Sequence, residues 1–272
     1  MTDRGAIEVL LDQAEAALDE GDAETTLKLC EAVERQSPGH PGAAFVRGDA
    51  LRALGQLEAA ADAYEQAALA RSDHTMSWSA LAMARFELLE TEQAARAASR
   101  ALREDPRNAE AWWVKGLLRE WRNDIQGANR ARLHARWLNP RDYPLPPTLT
   151  DDEIETIVTE CIEALHPQLQ EYLASVAILL DDLPDETLLR KYDPPMSPLE
   201  LLGHFSGYSL MGRSLDDPWS NIPPSIVLFR RNLERYAAHR EELIEQLRIT
   251  VFHEIGHFLG LDEDEVAARG LE

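Results

Sequence analysis

Residues 75–108 read TMSWSALAMARFELLETEQAARAASRALREDPRN, and residues 109–142 read AEAWWVKGLLREWRNDIQGANRARLHARWLNPRD. Offset by 34 residues, the two stretches agree at the positions that decide how helices pack. Each ends in a proline, Pro106 and Pro140; the same step leads back to Ser72 and Pro38. Small residues keep that period in three series: Ala14, Gly48, Ala82, Gly116; Thr26, Ala60, Ala94, Ala128; and Val33, Ala67, Ala101, Ala135. Turn signals fall between the first two series, at EGD (20–22), LGQ (54–56), LET (89–91) and RND (122–124). Antiparallel helices approach within about 8–10 Å only where small side chains face each other. A proline stops a helix because it lacks the amide hydrogen. The spacing therefore predicts four helix–turn–helix units over roughly 7–40, 41–74, 75–108 and 109–142. The first is the most divergent, as suits the terminal unit of an array.

These residues resemble the tetratricopeptide repeat, a helical hairpin of 34 residues. Trp78 and Trp112 also stand where that repeat often has an aromatic. The resemblance implies an array that binds a protein or peptide in a groove. Few Lys or Asn residues occupy the positions of a carboxylate clamp, so that binding mode is not expected.

The chain has 272 residues, of which 44% are hydrophobic, enough for two domains with separate cores. No apolar run approaches the roughly 18 residues of a membrane span. The opening MTDRGAIEVLLDQAEAALDEG is amphipathic and acidic and lacks the features of a secretory signal. Cys30 and Cys161 are read as reduced thiols of a cytoplasmic protein. The net charge of −22 is uneven: residues 1–140 hold 17 Lys+Arg against 23 Asp+Glu, residues 141–272 hold 10 against 26. Such an acidic chain repels phosphates and anionic lipids, which excludes nucleic acid and membrane as expected partners.

After Asn139 comes NPRDYPLPPTLTDDE, with prolines at 140, 144, 146 and 147. No helix continues through it, so the array is placed at 1–142, a linker at 143–149 and a second domain at 150–272. Thr150 and Glu153 form a capping box that opens a helix over about 151–173, its core face being Ile154, Ile157, Val158, Cys161, Ile162 and Leu165. SVAILLDD (175–182) reads as a buried strand; ELLGHFSGYSL (200–210) and SIVLFRRNLER (225–235) supply two more, with DDPWSNIPP (216–224) as a loop. A last helix begins near Ala238. The expected fold is a helical-hairpin array followed by a small α+β domain with a mostly antiparallel sheet.

That last helix contains His253, Glu254 and His257 as H-E-x-x-H. Residues four apart share one helix face, so both imidazoles can bind one zinc ion. Glu254, one step on, can take a proton from a water that the metal has made acidic, and deliver it to the leaving nitrogen. Leu247, Val251, Ile255 and Leu259 give the helix a core face, and Gly260 suits its end. The carboxylates of LDEDE (261–265) stand where a third ligand is needed, with Asp262, Glu263 and Asp264 as the alternatives. The remaining histidines, His40, His74, His134, His166, His204 and His239, are read as surface or satisfied residues. Tyr208 is a candidate hydrogen-bond donor to a developing oxyanion.

SVAILLDD, LLGHFSGYSL, PSIVLFRRNLER and above all TVFHEIGHFLGLDEDEV make the second half resemble the minimal zincin family of small bacterial metallopeptidase-like proteins. The family motif, H-E-x-x-H-x-x-G-x-x-D, places its third ligand ten residues after the first histidine. That position is Glu263 here, a departure from Asp. The resemblance implies a bacterial zinc metallopeptidase with His253, His257 and Glu263 as ligands and Glu254 as catalytic base, its substrate selected by the array. The alternative is a non-catalytic adaptor in which zinc is structural.

Overall fold

The structure, a computed structural model, describes residues 3–210 and 224–268. The chain divides into two compact units, Met1–Leu145 and Pro146–Glu272. Among the described residues no helix is long and apolar enough to cross a membrane.

The first unit has eight helices among its described residues: α1 (Asp3–Asp19), α2 (Ala23–Gln36), α3 (Pro41–Ala53), α4 (Leu57–Ala70), α5 (Thr75–Glu87), α6 (Thr91–Glu104), α7 (Ala109–Trp121) and α8 (Ile125–Leu138). Each odd-numbered helix packs on the even-numbered helix that follows it. All twelve small residues of the three series are buried. The turn inside each hairpin has one residue in the left-handed region: Gly21, Gly55, Leu89 and Asn123, again at intervals of 34. Two are glycines, for which that region is free of strain; Leu89 adopts it with its side chain buried in the core.

The glycines among the small residues have a steric cause. A Cβ on Gly48 would lie 2.5 Å from the ring of Tyr64, and one on Gly116 3.0 Å from Cγ of Arg132. Tyr64 and Arg132 occupy the same register position two repeats apart; the repeat between them pairs Ala82 with Ala98. A large residue on the second helix thus faces glycine on the first, and alanine faces alanine. Helix propensity alone favours Gly48→Ala by about 1 kcal/mol. The buried Tyr64 ring, tethered by its hydroxyl to Asp49 Oδ1 at 2.7 Å, has no room to yield. Gly48→Ala is therefore expected to destabilise the unit by about 1–3 kcal/mol in urea unfolding, the usual cost of overpacking. The added penalty should vanish in a Tyr64→Ala background.

The second unit comprises α9 (Asp151–Glu163), α10 (Pro167–Leu173), β1 (Ala177–Asp181), α11 (Glu186–Leu189), β2 (Gly203–Ser206), β3 (Ser225–Phe229), α12 (Arg230–Tyr236), α13 (Arg240–Leu259) and α14 (Glu263–Ala268). Thr150 and Glu153 form the expected capping box at α9. The single helix expected over 151–173 is instead two, because Pro167 cannot donate to the preceding turn and starts α10 at its first position. The sheet order is β1-β3-β2. The β2–β3 pair is antiparallel, whereas β1 and β3 run parallel in a register from Ala177↔Ser225 to Asp181↔Phe229, so the sheet is mixed. β1 was expected to be buried; it lies at one end of the sheet order and alternates between exposed and half-buried residues, with Leu179 at 49% exposure. The buried strand is β3, whose Ile226 and Leu228 join Val158, Leu247, Val251 and Phe258 in the core. The segment 216–223 of the expected loop lies outside the described residues.

Candidate metal centre

The site is built on α13. His239 caps the helix, its Nδ1 accepting from the Glu242 amide at 3.2 Å, and Glu241 and Glu242 in the first turn complement the helix dipole. Leu243, Leu247, Val251, Ile255 and Phe258 are buried and anchor one face to the core. His253 and His257 stand one turn apart, partly exposed. The helix ends at Gly260, whose φ of 99° is left-handed, and the Leu261 amide turns back to the Gly256 carbonyl at 3.1 Å.

This reversal brings the acidic segment to the histidines. Asp262 caps α14: its Oδ1 accepts from the Glu265 amide at 2.9 Å, while Glu265 Oε2 accepts from the Asp262 amide at 3.2 Å. With Asp262 engaged as a cap, Glu263 at the start of α14 reaches across to the imidazoles. Its Oε1 lies 3.3 Å from His257 Nε2 and its Oε2 3.5 Å from His253 Nε2. The two Nε2 atoms are 3.0 Å apart. Among the described residues, His253, His257 and Glu263 form the group of donors that can hold a metal ion, and Asp264 is not part of it.

The donors fit zinc. Ligands at about 2.0–2.1 Å in a tetrahedron stand about 3.3–3.5 Å from one another, close to the three separations above. His257 Nδ1 lies 3.1 Å from the Leu261 carbonyl. An N–H donated there leaves the Nε2 lone pair free for a metal, the usual outer-shell arrangement.

Glu254 lies beside this group, 5% exposed. Burial pushes its pKa up to about 7; the Phe205 amide, which hydrogen-bonds it, opposes the rise, and the charge of Glu263 adds to it. Gly203 on β2 makes room for it, since a Cβ there would fall 2.9 Å from Glu254 Oε1 and 2.7 Å from Thr250 Cγ2.

Residues 173–271 match the zincin-like metallopeptidase family, and residues 17–84 and 79–128 match tetratricopeptide repeat families. The first half of the chain is thus similar to tetratricopeptide repeats and the second to a zincin-like metallopeptidase domain. A comparison with curated proteins finds no match. Solved structures similar to the chain include TTC0263, a thermophilic tetratricopeptide protein of Thermus thermophilus, at 18% identity and a TM-score of 0.46 over 62% of this chain and 87% of that one. MamA from Desulfovibrio magneticus RS-1 has 17% identity and a TM-score of 0.44 over 62% and 89% of the two chains. The first tetratricopeptide domain of human RPAP3 has 20% identity and a TM-score of 0.38 over 48% and 94%.

In the zincin-like domain, His253, Glu254, His257 and Glu263 line a cleft of about 750 Å³. Among the polar groups of the cleft that the sequence did not single out as functional are Tyr192 and His204, with Tyr192 Oη 3.4 Å from His204 Nδ1. Burial lowers the His204 pKa, with Lys191 and His257 adding to the shift, and burial raises that of Tyr192, with Glu254 and Glu263 adding. At neutral pH both are therefore uncharged hydrogen-bonding groups. Tyr208 is not among the described residues that line this cleft. His40 and His166 accept from the amides at the starts of α3 and α10, as His239 does for α13, in keeping with the satisfied roles expected of them.

Proposed function

We propose that the zincin-like domain is a zinc-dependent peptidase and that the tetratricopeptide array selects or positions its protein or peptide substrate. One observation carries this reading: two imidazole nitrogens and a carboxylate converge in an open cleft beside a buried glutamate that is not part of the donor group. His253, His257 and Glu263 would hold the ion, leaving a coordination position for substrate or water, as catalytic rather than structural zinc sites do. When bound, zinc supplies Lewis-acid chemistry, polarising a carbonyl and making water acidic near neutral pH.

The chain's own residues supply the rest. Glu254 is the proton shuttle: its carboxylate takes a proton from the attacking water and passes it to the leaving nitrogen. In the metal-free chain burial raises its pKa above that of an ordinary carboxylate, which favours acceptance of that proton. Tyr192 and His204 hydrogen-bond the substrate along the cleft. The domains are read as the array at 1–142, the linker at 143–149 and the metal domain at 150–272. Two buried free thiols, Cys30 and Cys161, are in keeping with a reducing compartment such as the cytoplasm.

The test is cleavage of an unstructured peptide library by the zinc-loaded full chain, read by mass spectrometry. Hydrolysis that a chelator abolishes and added zinc restores is the expected result. A zinc-loaded chain that cleaves nothing across the library would move the assignment to the adaptor.

A further inference from the structure

Charge within the array is polarised along the repeats. Residues 1–74 hold 6 Lys+Arg against 15 Asp+Glu, whereas residues 75–142 hold 12 against 9, a net positive segment in a chain of net charge −22. Seven of these twelve cations line two grooves of similar design. The first, about 540 Å³, lies along α5 and α6 and is lined by Trp78, Arg85, Arg96, Arg100 and Arg103 together with Glu65 and Glu92. The second, about 300 Å³, lies along α7 and α8 and is lined by Trp112, Lys115, Arg119, Arg130 and His134. Trp78 and Trp112, Arg85 and Arg119, Arg96 and Arg130, and Arg100 and His134 are all pairs 34 residues apart. The two grooves therefore share these four positions of the repeat, on hairpins whose first helices, α5 and α7, touch each other.

Each groove presents an indole with cationic groups beside it. Arg100 Cζ lies 5.9 Å from the centroid of Trp78, and Lys115 Nζ 4.3 Å from that of Trp112. The His134 ring sits 4.4 Å from the Trp112 ring. Each indole N–H donates to a carbonyl six residues upstream, Ser72 at 3.0 Å and Pro106 at 2.9 Å, which fixes the ring. The acidic residues nearby are already engaged: Glu65 and Glu90 by Arg85, Glu104 by Arg100, Glu92 by Arg122 and Asp124 by Arg119. Among the described residues, Arg96, Arg103, Lys115 and Arg130 have no ion-pair partner, and the three arginines are exposed.

We propose that these two grooves form a tandem docking site for an acidic polypeptide segment, whose carboxylates pair with Arg96, Arg103, Lys115 and Arg130 while its apolar side chains pack against Trp78 and Trp112. Arginine favours this role because its planar fork matches a carboxylate. Indoles offer rigid apolar area at low entropic cost. The spacing favours a peptide over a nucleic acid. DNA presents a charge about every 1.7 Å of its axis, and a polyanion that dense would also meet Glu65, Glu92 and Glu104. A peptide with spaced carboxylates avoids them.

The test uses the full chain and fluorescence anisotropy of a labelled dodecapeptide of glutamate, leucine and glycine. Binding is expected to weaken about tenfold when every glutamate becomes glutamine, and again as salt is raised. The Arg96→Glu/Arg130→Glu double variant should weaken it at least about tenfold, with an unchanged unfolding midpoint because both side chains are exposed and unpaired. Three results would overturn the assignment: equal binding of the glutamine peptide, undiminished binding by the double variant, or tighter binding of a double-stranded DNA dodecamer than of the acidic peptide.

Discussion

The Glu254→Gln variant is expected to retain its zinc and to lose peptide hydrolysis by a factor of about 10²–10⁴, the share usually contributed by a general base. Glutamine keeps the length, the planarity and one acceptor of the side chain. The packing against Gly203 and the hydrogen bond from the Phe205 amide therefore have a near-isosteric replacement. What it removes is the site that accepts and returns a proton. The chain itself should not suffer. In the metal-free protein the buried carboxylate has a pKa raised from 4.5 to about 7, so its contribution favours the folded state below the unfolded value and is lost as pH rises through the folded one. A neutral amide lacks that loss, and the metal-free variant should be at least as stable as the parent at pH 8. Zinc content by elemental analysis, kcat on a cleaved peptide and the unfolding midpoint together decide the case. Loss of zinc in Glu254→Gln would place that residue among the ligands and sink its assignment as base.

The array was the most legible part of the molecule, because a repeat states each packing constraint several times. Ala14, Gly48, Ala82 and Gly116 could be aligned with one another, and all four prove buried. The alignment did not reveal why two of the four are glycine. The reason lies sixteen residues away, in Tyr64 and Arg132, and becomes visible when the facing helix is placed. The second unit offered single instances in place of repeats. Its apolar runs located the strands but not their neighbours, so β1, which looks as apolar as a central strand, lies at the end of the sheet order and β3 takes the interior. The break at Pro167 was written in the sequence, but the apolar positions on either side of it follow one helical period and hid it.

The site was legible to the extent that it is local. His253, Glu254 and His257 occupy consecutive turns of one helix, and Gly260 marks where it ends. Tyr192 and His204 come from segments about fifty to sixty residues upstream and reach the cleft through the tertiary fold. A histidine in a strand and a tyrosine near an ordinary turn give no pattern of their own. Gly203 is the nearest thing to a signal, a glycine inside a strand where a neighbouring side chain approaches closely.

Removal of single ligands should divide the acidic segment sharply. His253→Ala and His257→Ala are each expected to leave the purified protein without stoichiometric zinc, since each deletes one of the donors that converge on the site. Glu263→Ala should weaken zinc binding by more than the roughly 10–100-fold that loss of an outer-shell partner costs. Asp264→Ala should leave it almost unchanged, because that carboxylate is outside the donor group. Asp262→Ala falls between them for a separate reason. Its side chain caps α14, so its loss costs about 1 kcal/mol of helix stability and loosens the segment that delivers Glu263 without removing a donor. A competitive chelator titration of the five variants gives the order directly. If Asp264→Ala proves more damaging than Glu263→Ala, the third ligand is one residue further along. The turn after Gly260 would then have to present α14 by a different face in the metal-bound protein.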